Sequence, residues 1–206
     1  TSVLVNQAVL NLFGSAAVAA FSAASKIHML SEQVAVSFGT AMATYAGQNY
    51  GAGKAGRVRE GLRKCALACE AITLGIMVIM TAFGGVMSSW FIDGYHPEVI
   101  QQAHLYLFIS ALFYPALTML FLYRNTLLGL GNGVTPMLAG VCELLSRMIG
   151  APVLGHFFGF TGLCWINPIA WVTASGLLFL SYRKTMRNIR PVDPTVDASD
   201  PNKIMN

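Results

Sequence analysis

The chain is 206 residues long, 55% hydrophobic and 11% charged, with a mean hydropathy of +0.58, whereas an ordinary soluble domain carries roughly 25% charged residues; a water-soluble globule is therefore excluded. The formal net charge of +4 is not spread over a basic face but gathered at the ends of apolar runs, in Lys54, Arg57, Arg59, Arg63 and Lys64 and again in Arg183, Lys184, Arg187 and Arg190. That excludes the basic stripe with stacking aromatics of a nucleic-acid-binding protein and suits the positive-inside pattern of a membrane protein.

A membrane-spanning helix needs about 20 mostly apolar residues, and the runs between breakers are read against that length. Residues 3–13 form a short apolar stretch closed by Gly14-Ser15, too short to span alone and expected to be the end of a truncated helix. No charged segment precedes it in the manner of a signal peptide, and a chain starting at Thr1 rather than Met reads as a fragment. Residues 18–46 form a small-residue-rich span with Lys26, His28 and Glu32 in its first half, ending at Gly47. Residues 62–91 make the clearest span, bounded by the basic cluster before it and Asp93-Gly94 after it. Residues 99–128 make another, broken internally by Pro115, which in a membrane helix marks a kink; Gly129-Leu-Gly-Asn-Gly133 follows as a flexible turn. The last two runs, 135–158 and 163–182, are joined by Gly159-Phe-Thr-Gly162 and should form an antiparallel pair. After Arg190 the composition switches to Pro191, Asp193, Pro194, Asp197, Asp200 and Pro201, which reads as a disordered tail.

The fold expected is all-α: a polytopic membrane helix bundle of about five full helices and one partial one over residues 1–188, with a cytoplasmic tail over 189–206. The basic segment 54–64, the turn after Arg124 and the tail at Arg183 to Arg190 alternate with segments 93–98 and 159–162, which carry no Lys or Arg. One topology satisfies all five, with basic segments and C-terminus in the cytoplasm and Trp90, Phe91 and Tyr95 at the outer interface.

The segment Ala43-Thr-Tyr-Ala-Gly-Gln-Asn-Tyr-Gly-Ala-Gly-Lys-Ala-Gly-Arg-Val-Arg-Glu-Gly61 is similar to the cytoplasmic helix-to-loop junction of multidrug and toxic compound extrusion (MATE) transporters. Gly129-Leu-Gly-Asn after Tyr123-Arg124-Asn125, and Glu143-Leu-Leu-Ser-Arg147 in the next helix, also resemble the bacterial members. The resemblance covers about residues 3–188 and implies the C-terminal six-helix lobe of such a transporter, its first helix truncated and its other lobe missing. It further implies a multi-pass protein of the bacterial cytoplasmic (inner) membrane and secondary antiport of drugs or toxic organic cations against H+ or Na+. The expected partners are membrane lipids, an organic cation or amphipathic substrate, the coupling ion and the missing N-terminal lobe, with no cofactor.

Within the junction, Gly47, Gly51 and Gly53 let the chain leave a helix in conformations other residues resist. Gln48 and Asn49 can satisfy exposed carbonyls, and Lys54 and Arg57 begin the basic group. A turn that merely reverses the chain and a gating or lobe-contact role are both open readings. A phosphate-binding loop is not, because Gln48 and Ala55 stand where the required Gly and Ser or Thr would be.

Ionisable groups inside apolar runs cost about 2.5–3.5 kcal/mol each on insertion scales, so each demands a partner, a wet cavity or a function. Glu143 and Arg147 have the i,i+4 spacing of an ion pair within one helix, structural or part of a switch. Glu32, with Gln33 beside it and His28 one turn earlier, places an acid and an imidazole on a helix that the resemblance sets beside the central cavity; proton or cation handling stands against hydration near the outer interface with Lys26. Glu70 is expected to snorkel or pair with Arg63. Tyr114, Pro115, Met119 and Tyr123 could line a pocket for flat cations or simply pack. The sodium-site acids that some family members carry in the helix matching residues 99–128 are absent, which argues against a sodium site in this half.

His28, His104, His156 and the four cysteines lack metal-site spacing, and no nucleophile, base and orienting acid come together, so neither a metal site nor enzyme activity is expected. The other classes left open are a non-transporting half-size membrane scaffold, expected to form homodimers, and a lipid-precursor flippase of related fold, expected to carry a more basic cavity.

Overall fold

The computed structural model describes residues 14–92 and 96–189; the expectations for residues 3–13, for Asp93, Gly94 and Tyr95, and for the tail from Arg190 onward lie outside them. Among the described residues the protein is five α-helices and no strand: α1 (Gly14–Gly51), α2 (Ala55–Ser89), α3 (Pro97–Leu112), α4 (Tyr114–Gly129) and α5 (Val134–Asn188). Sequestering every backbone N–H and C=O within a helix is what an apolar layer without water demands.

In α1, 38 residues long, the buried residues Ala17, Ala20, Ala24, Ile27, Ser31, Ala35, Gly39, Met42 and Ala46 recur every three or four positions and so form one stripe. At 1.5 Å per residue α1 is about 57 Å long, well beyond the ~30 Å hydrocarbon layer. Its stripe is small because α4 lies against it at backbone distance. A Cβ at Gly47 would come within 3.3 Å of the Gly129 carbonyl oxygen, and one at Gly39 within 3.2 Å of the Phe121 carbonyl oxygen. A Cβ at Gly129 would overlap the Ala43 carbonyl. This close approach of small residues is how membrane helices gain packing energy when lipid is as apolar as the side chains. It also explains the composition of α1: α2 and α5 are apolar and long enough to cross a membrane, the pair α3 and α4 is so if read as one bent span, and α1 is not among them.

The helix ends carry the glycine chemistry. At the end of α1, Gly53 adopts φ +70, and the N–H groups of Gly53 and Lys54 donate to the carbonyls of Tyr50 (2.9 Å) and Asn49 (2.8 Å). At the end of α4, Gly131 adopts φ +80, and the N–H groups of Gly131 and Asn132 donate to Leu128 (3.0 Å) and Leu127 (2.9 Å). Both are Schellman caps with a left-handed glycine just past the helix.

Three boundaries differ from the sequence expectation. Helix α1 does not end at Gly47 but continues through Gln48 and Asn49 to Gly51, because Gly47 serves contact with α4 rather than chain reversal. The basic residues Arg57, Arg59, Arg63 and Lys64 lie on the first turns of α2 rather than in a loop. The run 99–128 is two helices meeting at 53°; Phe113 (φ −105, ψ 9) is the joint and Pro115 sits in the first turn of α4, where its missing N–H costs nothing.

Helix α5 is a hairpin. Gly159 has φ 60 and ψ −143, and around it the two arms fold back on one another. Thr135 and Ser181 share a hydroxyl hydrogen bond of 2.9 Å, Gly150 faces Ile166, and Gly162 lies so close to the Leu154 carbonyl that a Cβ would overlap it. These pairs are all centred on Phe158, one residue before the kink, which is the antiparallel pair expected from Gly159-Phe-Thr-Gly162.

The α1–α4 crossing gives a direct test. Gly129→Ala should destabilise the folded protein by about 1–3 kcal/mol, since the clash is with backbone that cannot rotate away. Gly140→Ala, with nothing within 4 Å of the added carbon, should leave stability unchanged or slightly raised; thermal melting of both variants in detergent distinguishes the two.

Candidate functional site

The polar groups that the sequence scatters along four runs meet halfway along the helices. His28 and Glu32 lie midway along α1, Tyr114 opens α4 at the break that follows α3, Arg147 is midway along the first arm of α5, and Trp171 faces in from its second arm.

His28 is the centre of an aromatic stack. Its ring packs against both Tyr114 (centroids 5.6 Å apart, 29° between planes) and Trp171 (5.3 Å, 24°), which also touch each other at 6.4 Å, with Tyr106 edge-on at 6.4 Å. The Tyr114 hydroxyl is 3.0 Å from His28 Nδ1, and Asn167 donates to the Tyr106 hydroxyl at 3.0 Å. With Tyr114 donating to Nδ1, the proton of the neutral imidazole sits on Nε2. That nitrogen faces Glu32 Oε2 at 3.9 Å, wider than a hydrogen bond. The Glu32 side chain remains 31% exposed beside the buried His28 ring.

A second charged group lies between α4 and α5. Arg124 pairs closely with Glu143 Oε1, and Arg147 approaches Glu143 Oε2 at 3.7 Å. The i,i+4 pair read from the sequence is present, but the tighter partner is Arg124 on the preceding helix. No local spacing shows it, because the contact is made across the turn at Gly131. The Arg124 and Arg147 Nε atoms are buried without a hydrogen-bond partner among the described residues.

Other candidates fall elsewhere. Gln33 is exposed on a different face of α1 from His28 and takes no part in the cluster, and Met119 is half-buried one turn beyond Tyr114. Tyr114 is a buried partner of His28 rather than an open wall. Glu70 does not pair with Arg63 as expected; it lies beside Thr73, whose hydroxyl is 3.4 Å from its Oε2 and in turn accepts from Thr118 of α4 at 3.4 Å. Lys26 lies over the Phe91 ring at 5.6 Å, away from Glu32. In the junction, Asn49 donates to the Tyr45 carbonyl within the helix at 2.9 Å, and Gly51, Gly53, Lys54 and Arg57 surround the cap. Among the described residues no group of three or more His, Cys, Asp or Glu could hold a metal ion.

Unequal sharing of Glu143 orders two substitutions. Arg124→Ala should lower the melting temperature of the purified protein more than Arg147→Ala, because removing the close partner of a shielded carboxylate costs about 3–5 kcal/mol, whereas Arg147 is beyond hydrogen-bond distance. Equal losses would contradict the assignment of Arg124 as the principal partner.

Comparison with known proteins agrees with this architecture. The described fold superposes on the MATE transporter VcmN of Vibrio cholerae in its bent form with a TM-score of 0.81 at 22% identity, covering 91% of this chain and 43% of that one. An outward-facing multidrug resistance MATE family transporter of the MOP superfamily gives 0.72 at 18% identity, covering 92% and 44%. A MOP superfamily transporter from Pyrococcus furiosus gives 0.70 at 19% identity, covering 95% and 43%. The chain thus spans less than half the length of the transporters it resembles, and no curated protein sequence matches it. The MatE family model matches residues 1–153, and the chain, a multi-pass membrane protein with the all-helical fold of MOP superfamily transporters, belongs to the MatE family.

Proposed function

We propose that the chain is the carboxyl-terminal lobe of a secondary antiporter that exports drugs or toxic organic cations in exchange for H+ or Na+, with Glu32 as the coupling carboxylate of this lobe. The observation that carries this reading is the position of Glu32. It lies midway along α1, half-shielded, with the His28 imidazole at 3.9 Å. An acid at that depth is retained at a cost of about 2.5–3.5 kcal/mol, and the imidazole beside it is beyond hydrogen-bond distance.

A proton or cation arriving at Glu32 neutralises the carboxylate without disturbing the His28 ring, which Tyr114 and Trp171 hold in place. Neutralisation lowers the cost of closing apolar surface over the site, and that bias is what a rocking-lobe exchanger requires of its coupling ion. The break between α3 and α4 lies beside the same imidazole, in keeping with discontinuous helices at the sites of secondary transporters. The second lobe would complete the substrate cavity. Basic ends in the cytoplasm set the C-terminus, with the tail over residues 189–206, on that side of a bacterial inner membrane.

The test is efflux by the full-length protein in everted vesicles. Glu32→Gln should reduce the pH- or sodium-dependent component by about tenfold or more, each factor of ten corresponding to ~1.4 kcal/mol, while the protein remains folded. Undiminished ion-dependent efflux from Glu32→Gln would remove Glu32 from the coupling path.

A further inference from the structure

Glu70 stands near the midpoint of α2 (Ala55–Ser89), half-buried and, among the described residues, without a cationic partner. Glu143 has two guanidiniums and Glu60 has Lys64 at 2.7 Å. The polar contact of the Glu70 carboxyl among the described residues is instead the Thr73 hydroxyl, 3.4 Å from Oε2. Its neighbours one turn away on the same helix face, Leu67 and Leu74, are large, apolar and exposed. An unpaired charge in such surroundings is strongly disfavoured, and the neutral acid is the form that avoids it.

The hydroxyls beside it point the same way. Thr73 is 3% exposed and Thr118 of α4 is fully buried, so their protons must find acceptors within the protein. The one hydroxyl proton of Thr73 has its nearest acceptor in the Cys69 carbonyl at 3.0 Å, with the Glu70 carbonyl at 3.2 Å, the back-bond usual for a helical threonine. Thr118 gives its own proton to the Thr73 oxygen at 3.4 Å. With the Thr73 proton directed at the backbone, lone pairs of that oxygen face Thr118 and Glu70 Oε2. A carboxylate would set lone pair against lone pair there, whereas a carboxylic acid supplies the missing donor.

We propose that Glu70 is a proton-binding site of this lobe separate from Glu32: a carboxyl that holds its proton at the seam between α2 and α4, donates it to the Thr73 hydroxyl, and is reached from the exposed apolar face of α2. Release of the proton leaves one uncompensated negative charge at the seam and removes one donor, so the charged form weakens the contact that Thr73 and Thr118 make between the helices. The titratable group within electrostatic reach is the Cys69 thiol of its own helix. Helices α1, α3 and α4, which pack against α2, set no ionised group against Glu70 among the described residues, and neither Glu32 nor Glu143 acts on it.

Carbodiimide modification of the full-length protein, located by mass spectrometry, reads this without transport. Dicyclohexylcarbodiimide is apolar and adds to protonated carboxyls; a cationic, water-soluble carbodiimide reaches those in water. At neutral pH the apolar reagent should modify Glu70 about tenfold or more faster than the cationic one does, and should leave Glu60, the exposed ion-paired acid of the same helix, untouched until the pH falls to the ordinary carboxyl range near ~4. A Glu70 that reacts only in the same acidic range as Glu60 would overturn the proposal. So would protection of Glu70 by sodium chloride relative to choline chloride at constant pH, which would make it a cation site.

The pH of half-modification then fixes the direction of the Thr73 bond. If Thr73 accepts from the acid, Thr73→Val keeps the side-chain shape, removes the partner of the neutral form and moves the midpoint down by about half a pH unit or more, and Thr73→Ser restores it. If Thr73 donates to a carboxylate, the same variant moves the midpoint up. An upward shift, or none, overturns the proposal. Should Thr73→Val not fold, the comparison of Glu70 with Glu60 in the native sequence decides by itself.

Discussion

A carboxylate at membrane depth must be compensated, and the rest of the polar architecture follows from how Glu143 meets that requirement. Its partner Arg124 belongs to another helix, so the pair ties α4 to the first arm of α5 across the Schellman turn at Gly131. Breaking such a pair costs several kcal/mol, because the remaining charge stays in place without its counter-ion. With Glu143 satisfied from α4, Arg147 is no longer needed as its sole partner. The small-residue crossing of α1 on α4 sets the separation of those two helices, and glycine and alanine bring α1 close enough for His28 to pack on Tyr114.

The fold was largely legible in the sequence because its signals are local. Apolar runs of spanning length, basic residues at alternate ends, Gly159-Phe-Thr-Gly162 as a reversal and Pro115 as a break each depend on neighbours in the chain, and each has its counterpart in the structure. The boundary at Gly47 was misread for an equally physical reason: a glycine that lets two helices touch and one that ends a helix are the same residue, and only Gly129 opposite it tells them apart. The site was legible in part. His28 with Glu32, and Glu143 with Arg147, follow from i,i+4 spacing, whereas Arg124 with Glu143, Tyr114 with His28, and Glu70 with Thr73 rather than Arg63 depend on tertiary approach or on a side-chain direction that spacing leaves open. Tyr106 and Trp171 carried no signal beyond being aromatic, and each acquires its role by lying against an imidazole.

Membership of the MatE family and a span of under half of each solved transporter place these groups in context. Large exposed apolar residues cover α2 and the outer faces of α5, from Leu67 and Val78 to Val153 and Phe157, as lipid contact requires. Charges placed within the membrane persist where they pair or where water reaches them; Arg147 approaches Glu143, whereas the Glu32 side chain is 31% exposed and beyond hydrogen-bond distance of His28, and its role as coupling acid in the proposed function requires water.

Water access to Glu32 is accordingly the central claim, and thiol reactivity measures it. In full-length protein with Cys65, Cys69, Cys142 and Cys164 replaced, Glu32→Cys and Val78→Cys are exposed in turn to a charged, membrane-impermeant methanethiosulfonate. The account predicts rapid modification at position 32 and none at position 78, on the exposed apolar face of α2. Modification at position 78 with position 32 inert, or equal rates at both, would contradict it.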